Sequence, residues 1–208
     1  RRVLRETMIL YALYVVPGVV APGNLSALDA AVAPAAAAII RNVAFALLVL
    51  YLVDIRDERP ATVGDTVGTL RRAALIAAIL AAIAVAVSAA VHVLGGVVES
   101  TPTSPTIRPT GATQWAAIVA LMASVAWVEE IFFRGYLLMM LRRLGVAPRT
   151  AVVAAAALFA VGHTYQGIPA IAFSFGAGVF LGAMWVRRPN LRAFVLGHAA
   201  YNVGALAA

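Results

Sequence analysis

The sequence predicts an all-α, polytopic membrane helical bundle of about seven transmembrane helices. Three observations carry that prediction. Of 208 residues, 63% are hydrophobic and only 12% charged, with a mean hydropathy of +0.93, whereas soluble domains carry about 25% charged residues. Several apolar runs approach the ~20 residues a helix needs to cross a bilayer. Successive connections also alternate in arginine: three at the N-terminus, then none, four, one, three, none, three, and none at the C-terminus. This follows the positive-inside rule and puts the N-terminus in the cytoplasm and the C-terminus outside.

The composition also excludes. With no cysteine, disulfides, thiolate metal sites and a cysteine nucleophile are ruled out. The net charge of +7 belongs to loop arginines that set membrane orientation, so no nucleic-acid partner is expected. All sixteen basic residues are arginine, which with abundant alanine suggests a high-GC bacterial sequence and the bacterial plasma membrane. No secretory signal is evident. A chain opening at Arg1 rather than methionine is compatible with a trimmed short leader or extension.

In chain order, Arg1, Arg2 and Arg5 precede a first apolar run, about 7–20, closed by Pro17-Gly18 and Pro22-Gly23. Pro34 opens the second span, which reaches about Val53; its Arg41 is expected to snorkel to the headgroups. A polar connector, 54–72, leads to an alanine-rich third span, about 73–94, with His92 near its end as a bystander. A proline-rich loop follows, too polar to span anything. The fourth span, about 112–141, is the longest. The fifth (about 150–165) and sixth (about 170–186) flank a tight turn at Gln166-Gly167-Ile168-Pro169. Gly178 and Gly182 make a small-xxx-small pattern that permits close helix packing. The last span begins at Leu191.

Within the fourth span sits Trp127-Val128-Glu129-Glu130-Ile131-Phe132-Phe133-Arg134. Ionisable groups at that depth are costly and rare, and point to function. Helical spacing gives the two carboxylates different jobs. Glu130 and Arg134, four apart, share a face and can pair. Glu129 lies about 100° away around the helix, with no same-helix cation at that spacing. The spacing therefore makes one carboxylate structural and leaves the other for chemistry.

Counted from the nearest cytoplasmic arginines, Glu129 lies ~20 Å deep, His163 ~21 Å, His198 ~9 Å and Asn202 ~15 Å. Tilt blurs these depths, and all four fall near the midplane of a core ~30 Å thick. His198 and Asn202 share a face. A glutamate, two histidines and an asparagine at one level form an acid–base constellation suited to hydrolysis. Glu129 can take a proton from water that His163 holds or shares. His198 and Asn202 can donate to the oxyanion of a tetrahedral intermediate. The same set admits a zinc variant, with Glu129, His163 and His198 as three ligands and water as the fourth, although His-Glu-x-x-His is absent. Trp127, Phe132, Phe133 and Tyr136 either line an apolar substrate groove or pack the core.

Glu-Glu-x-x-x-Arg (Glu129, Glu130, Arg134), Phe-x-x-x-His (Phe159, His163) and His-x-x-x-Asn (His198, Asn202) resemble the three motifs of the CAAX protease and bacteriocin-processing family (CPBP, or Abi). That family contains the type II CAAX prenyl endopeptidases. The resemblance covers about residues 112–207. It implies an intramembrane endopeptidase whose glutamate and second-motif histidine, here Glu129 and His163, activate water. His198 and Asn202 would be the oxyanion partners, with Glu130 and Arg134 holding the site's geometry. A metal-independent glutamate mechanism is expected, without cofactor, although the family has been named metalloprotease.

Eukaryotic members cut prenylated C-termini; bacterial members are linked to peptide maturation and bacteriocin self-immunity. The expected organisation is one integrated membrane domain, with N-terminal helices over 1–111 and a catalytic helical core over 112–208. The expected partners are the lipid bilayer and a membrane-associated peptide or protein substrate. A non-proteolytic immunity protein on the same scaffold would have little use for so many midplane polar groups. A proton-coupled transporter would favour internal repeats and broken helices, and the sequence shows neither.

Overall fold

The structure, a computed structural model, describes residues 2–20, 32–55, 66–94, 109 and 111–207. Among them are seven helical runs, one short 3₁₀ turn and no strand. The runs are α1 (Arg2–Val20), α2 (Val32–Asp54), α3 (Thr66–Leu94), the composite α4 (Ala112–Glu129), π segment (Glu130–Leu137) and α5 (Leu138–Arg143), then α6 (Pro148–Val161), α7 (Ile168–Arg187) and α8 (Leu191–Ala207). The protein is an all-helical membrane protein. By length and hydropathy, four stretches among the described residues can cross a bilayer: Pro34–Asp54, Gly68–Val93, Ala112–Arg143 and Ile168–Arg187. Helices α6 and α8, read as spans from the sequence, have 14 and 17 residues, and are shorter than a ~20-residue crossing.

Several expected boundaries move, each for a local reason. Pro17 does not close α1, which runs on to Val20. Helix α3 starts at Thr66, inside the expected polar connector. Helix α6 ends at Val161 instead of continuing to Tyr165. There the amides of Gly162 and His163 turn back to the carbonyls of Phe159 and Ala160, at 3.1 and 2.9 Å, which tightens the last turn. Thr164–Gln166 forms the 3₁₀ turn, and Gly167 follows with φ +86°, a backbone region that glycine enters without steric cost. Pro169 then falls in the first turn of α7, where a missing N–H forfeits no helical bond.

The chain packs into two compact units, Arg1–Gly23 with Ala81–Ser104 and Leu137–Arg188, and Asn24–Leu80 with Pro105–Tyr136 and Pro189–Ala208. In the first unit α6 packs on α7. A Cβ on Gly178 would stand 2.9 Å from Ala156, and one on Gly182 would stand 3.1 Å from Val152. The small-xxx-small pattern is therefore the α6–α7 seam. Helix α1 joins this unit through the Tyr11 hydroxyl, which donates to the Leu158 carbonyl at 2.8 Å.

In the second unit α4 packs on α2 and α8. The buried Asn42 amide donates to Ser124 Oγ at 3.1 Å, tying α2 to α4, while its neighbour Arg41 is exposed, in keeping with a snorkelling role. Phe45 meets Phe132 edge-on at 5.5 Å. Asn190 caps α8, its side-chain oxygen accepting from the Ala193 amide at 3.1 Å and its side-chain nitrogen donating to Thr69 Oγ1 at 3.2 Å. That second bond fastens the start of α8 to α3.

Candidate active site

The carboxylates sit where the helix changes its winding. From Glu130 to Leu137 the backbone is π-helical, with bonds one residue longer than in an α-helix. Such turns are rare and concentrate at functional sites. The α-helical angles expected from the sequence therefore do not hold beyond Glu129. The pairing survives because four residues fall slightly short of a wider turn instead of slightly past a narrower one. Arg134 Nη1 donates to Glu130 Oε1 at 3.0 Å, with both side chains buried.

Glu130 has a second partner that the sequence did not disclose. His198 Nδ1 stands 2.8 Å from the same Oε1. A carboxylate paired with a guanidinium only accepts, so the imidazole donates through Nδ1. The other ring nitrogen, Nε2, faces Glu129 Oε2 at 3.7 Å. That is too long for a hydrogen bond but close for a charge pair. His198 is therefore held between the two adjacent carboxylates. Glu130 is fully buried, whereas the Glu129 side chain keeps 11% of its surface exposed, so Glu129 is the more accessible of the two carboxylates.

The depth count had His198 about 10 Å shallower than Glu129. The structure corrects this, and two causes account for it. Each helix was measured from its own arginines with tilt ignored, and a wider π turn rises less per residue than was assumed. Asn202 is half-buried one turn beyond His198, and among the described residues its amide makes no bond to this cluster. Phe132, Phe133 and Tyr136 are buried, Phe132 stacking on Tyr136 and meeting Phe133 edge-on. They pack the core, and only Trp127 of that aromatic group keeps partial exposure.

Gly197 sets the approach of α8. Its missing Cβ would stand 2.6 Å from the Ala73 carbonyl oxygen and 2.7 Å from Ile76 Cβ. The residue before His198 must therefore be glycine for α8 to lie this close to α3. A glycine in mid-helix beside a candidate site residue was the sequence signal for this.

His163 belongs to the first unit and sits at the end of α6, in the turn and not inside a long helix. Its Nδ1 is 2.9 Å from the Phe159 carbonyl, and the two rings meet edge-on at 4.7 Å. Since a carbonyl only accepts, Nδ1 carries the hydrogen, and Nε2 of the neutral ring is an acceptor. The expected shared face of Phe159 and His163 is this contact. His92 is exposed on α3.

Residues 111–204 match the family model described as type II CAAX prenyl endopeptidase Rce1-like. Over that stretch the chain is similar to the Rce1-like family. The stretch begins at the residue before α4 and ends inside α8, so it contains Glu129, Glu130, Arg134, His163, His198 and Asn202. That likeness supports intramembrane endopeptidase activity in general, on peptide or protein substrates in a lipid bilayer. No curated protein and no solved structure matches the chain.

A catalytic zinc needs three protein ligands converging on one point. The expected zinc set takes Glu129 and His198 from one unit and His163 from the other. The Nδ1 bonds of His198 to Glu130 and of His163 to Phe159 leave both Nε2 atoms free, as in histidines that hold a metal. No step below passes through a metal.

Proposed function

We propose that the protein is an endopeptidase of the glutamate type, cutting membrane-associated peptides or proteins by water that Glu129 activates. Glu129 takes a proton from the water as it attacks the scissile carbonyl, which becomes tetrahedral. His163 steadies the water through Nε2, its Nδ1 being occupied by the Phe159 carbonyl. His198 and Asn202 donate to the oxyanion. With His198 Nδ1 turned to Glu130, donation falls to Nε2, which carries a hydrogen in the imidazolium form. The proton gained by Glu129 then passes to the leaving amine as the intermediate collapses.

One observation carries this reading. A carboxylate that keeps some exposure faces an imidazole nitrogen at 3.7 Å, at the rim of a π turn in an apolar helix. Burial among apolar groups strengthens such electrostatic contacts during the reaction.

The test compares membrane-bound peptides, by proteomics, in cells carrying the native protein or Glu129→Gln. The amide cannot accept a proton, so peptides cut by the native protein should persist uncut with the variant. Identical peptide patterns alongside equal amounts of folded protein would refute the proposal. His198→Ala and Asn202→Ala should each slow cleavage roughly 10²–10³-fold, the usual loss of one oxyanion donor.

A further inference from the structure

Glu130 makes a bond that its pairing with Arg134 does not require. If its work were only to neutralise Arg134, no histidine need be present. Yet Oε1 also takes His198 Nδ1 at 2.8 Å, closer than it takes Arg134 Nη1 at 3.0 Å. The carboxylate is fully buried, and its Oε2 has no hydrogen-bond partner among the described residues. Both strong contacts therefore converge on one oxygen, which is fixed from the arginine side and fixes the ring on the other.

Two chemical consequences follow for His198. The carboxylate engages one N–H of the imidazolium, because an acceptor-only group forces Nδ1 to donate, and leaves Nε2–H for the oxyanion. It also sets the ring plane, so that Nε2 and not Nδ1 is turned toward Glu129. A buried carboxylate behind a reacting histidine orients the ring and stabilises its imidazolium in serine proteases.

We infer that Glu130 is a positioning residue for the reaction, acting through His198: it binds Nδ1–H and thereby presents Nε2 to the substrate. This rests on the proposed endopeptidase reading, with His198 as a participant. In this role Arg134 anchors the carboxylate, and Glu130 does not touch substrate.

The protein has only three histidines, so ring nitrogens can be read directly by nitrogen-15 spectroscopy of the histidine-labelled full chain. His198 is assigned by its loss in His198→Ala. The native protein should show His198 Nδ1 protonated, and Glu130→Gln should shift that signal while those of His92 and His163 stay in place. Cleavage by Glu130→Gln should lose at least about 100-fold in kcat, with KM little changed. In a His198→Ala background the same substitution should cost nothing further, because both changes remove one unit. Should Glu130→Gln alone fail to fold, joining it to Arg134→Met removes both charges together, and the cycle is run on that pair.

An unprotonated His198 Nδ1 in the native protein overturns the inference. Losses that multiply across the cycle also overturn it, since Glu130 would then act independently of His198. If the native protein cleaves nothing, the endopeptidase reading fails by itself, and the ring-nitrogen spectrum still decides whether Glu130 sets the ring.

Discussion

Gly197 brings α8 so near α3 that a Cβ there would stand 2.6 Å from the backbone oxygen of Ala73. A backbone atom cannot swing aside, so even a methyl group forces the helices apart. Overpacking of this kind costs typically ~1–3 kcal/mol. Gly197→Ala should lower the thermal midpoint of the detergent-solubilised protein and displace His198. Gly204→Ala, on the same helix with nothing within 4 Å, is the control. It should be neutral or gain up to ~1 kcal/mol of helix propensity. Equal midpoints for the two variants would mean that the close approach at Gly197 does not matter to the fold.

Arg134 and Glu130 are a buried pair, 3% and 0% exposed at the side chain. Removing one partner leaves an uncompensated charge, at a cost of ~3–5 kcal/mol. Arg134→Ala should therefore reduce the yield of folded protein as well as activity. Normal yield and thermal stability, with activity alone lost, would move Arg134 into the reaction.

Asn190 is the N-cap of α8 and its bond to α3. Loss of such a cap costs typically ~1–2 kcal/mol. Asn190→Ala should destabilise by that order in denaturant or thermal unfolding, and Asn190→Asp should recover the cap but not donation to Thr69. An Asn190→Ala variant as stable as the native protein would show the cap to be dispensable.

Treatment with a strong chelator, followed by metal analysis of the purified protein, should leave proteolysis intact. The reason is the proposed mechanism, in which Glu129 alone takes the proton from water and Asn202, a poor zinc ligand, serves the oxyanion. Activity killed by chelation and restored by stoichiometric zinc would replace the glutamate mechanism with a metal one.

The helical membrane class was legible because it follows from apolar length and charge placement, which are properties of the chain alone. The Glu130–Arg134 pair was legible because both ends lie on one helix, where spacing fixes proximity. Contacts between helices were not. His198 was counted too shallow, and its bond to Glu130 went unseen, because no sequence period encodes tilt or which ring nitrogen faces where. The π segment was hidden for a different reason. Glu130-Ile131-Phe132-Phe133-Arg134-Gly135-Tyr136-Leu137 has no residue that an α-helix would refuse outright, so nothing in it announces the wider winding. Gly197 and Asn190 did leave signals, a glycine inside a helix and an asparagine just before one.

The length of α6 carries a consequence for the membrane itself. Fourteen residues make a helix of ~21 Å, against a hydrocarbon layer of ~30 Å. A helix so short cannot reach both headgroup layers. Either the lipids beside it are drawn inward, as hydrophobic mismatch demands, or its C-terminal end stops among the acyl chains. At that end Thr164 and Tyr165 are exposed, and non-helical backbone at such depth is tolerated only in protein or beside water. Both outcomes thin the oily barrier at the turn that holds His163. The proposed hydrolysis needs water inside a bilayer, and a barrier thinned at that turn would ease its entry.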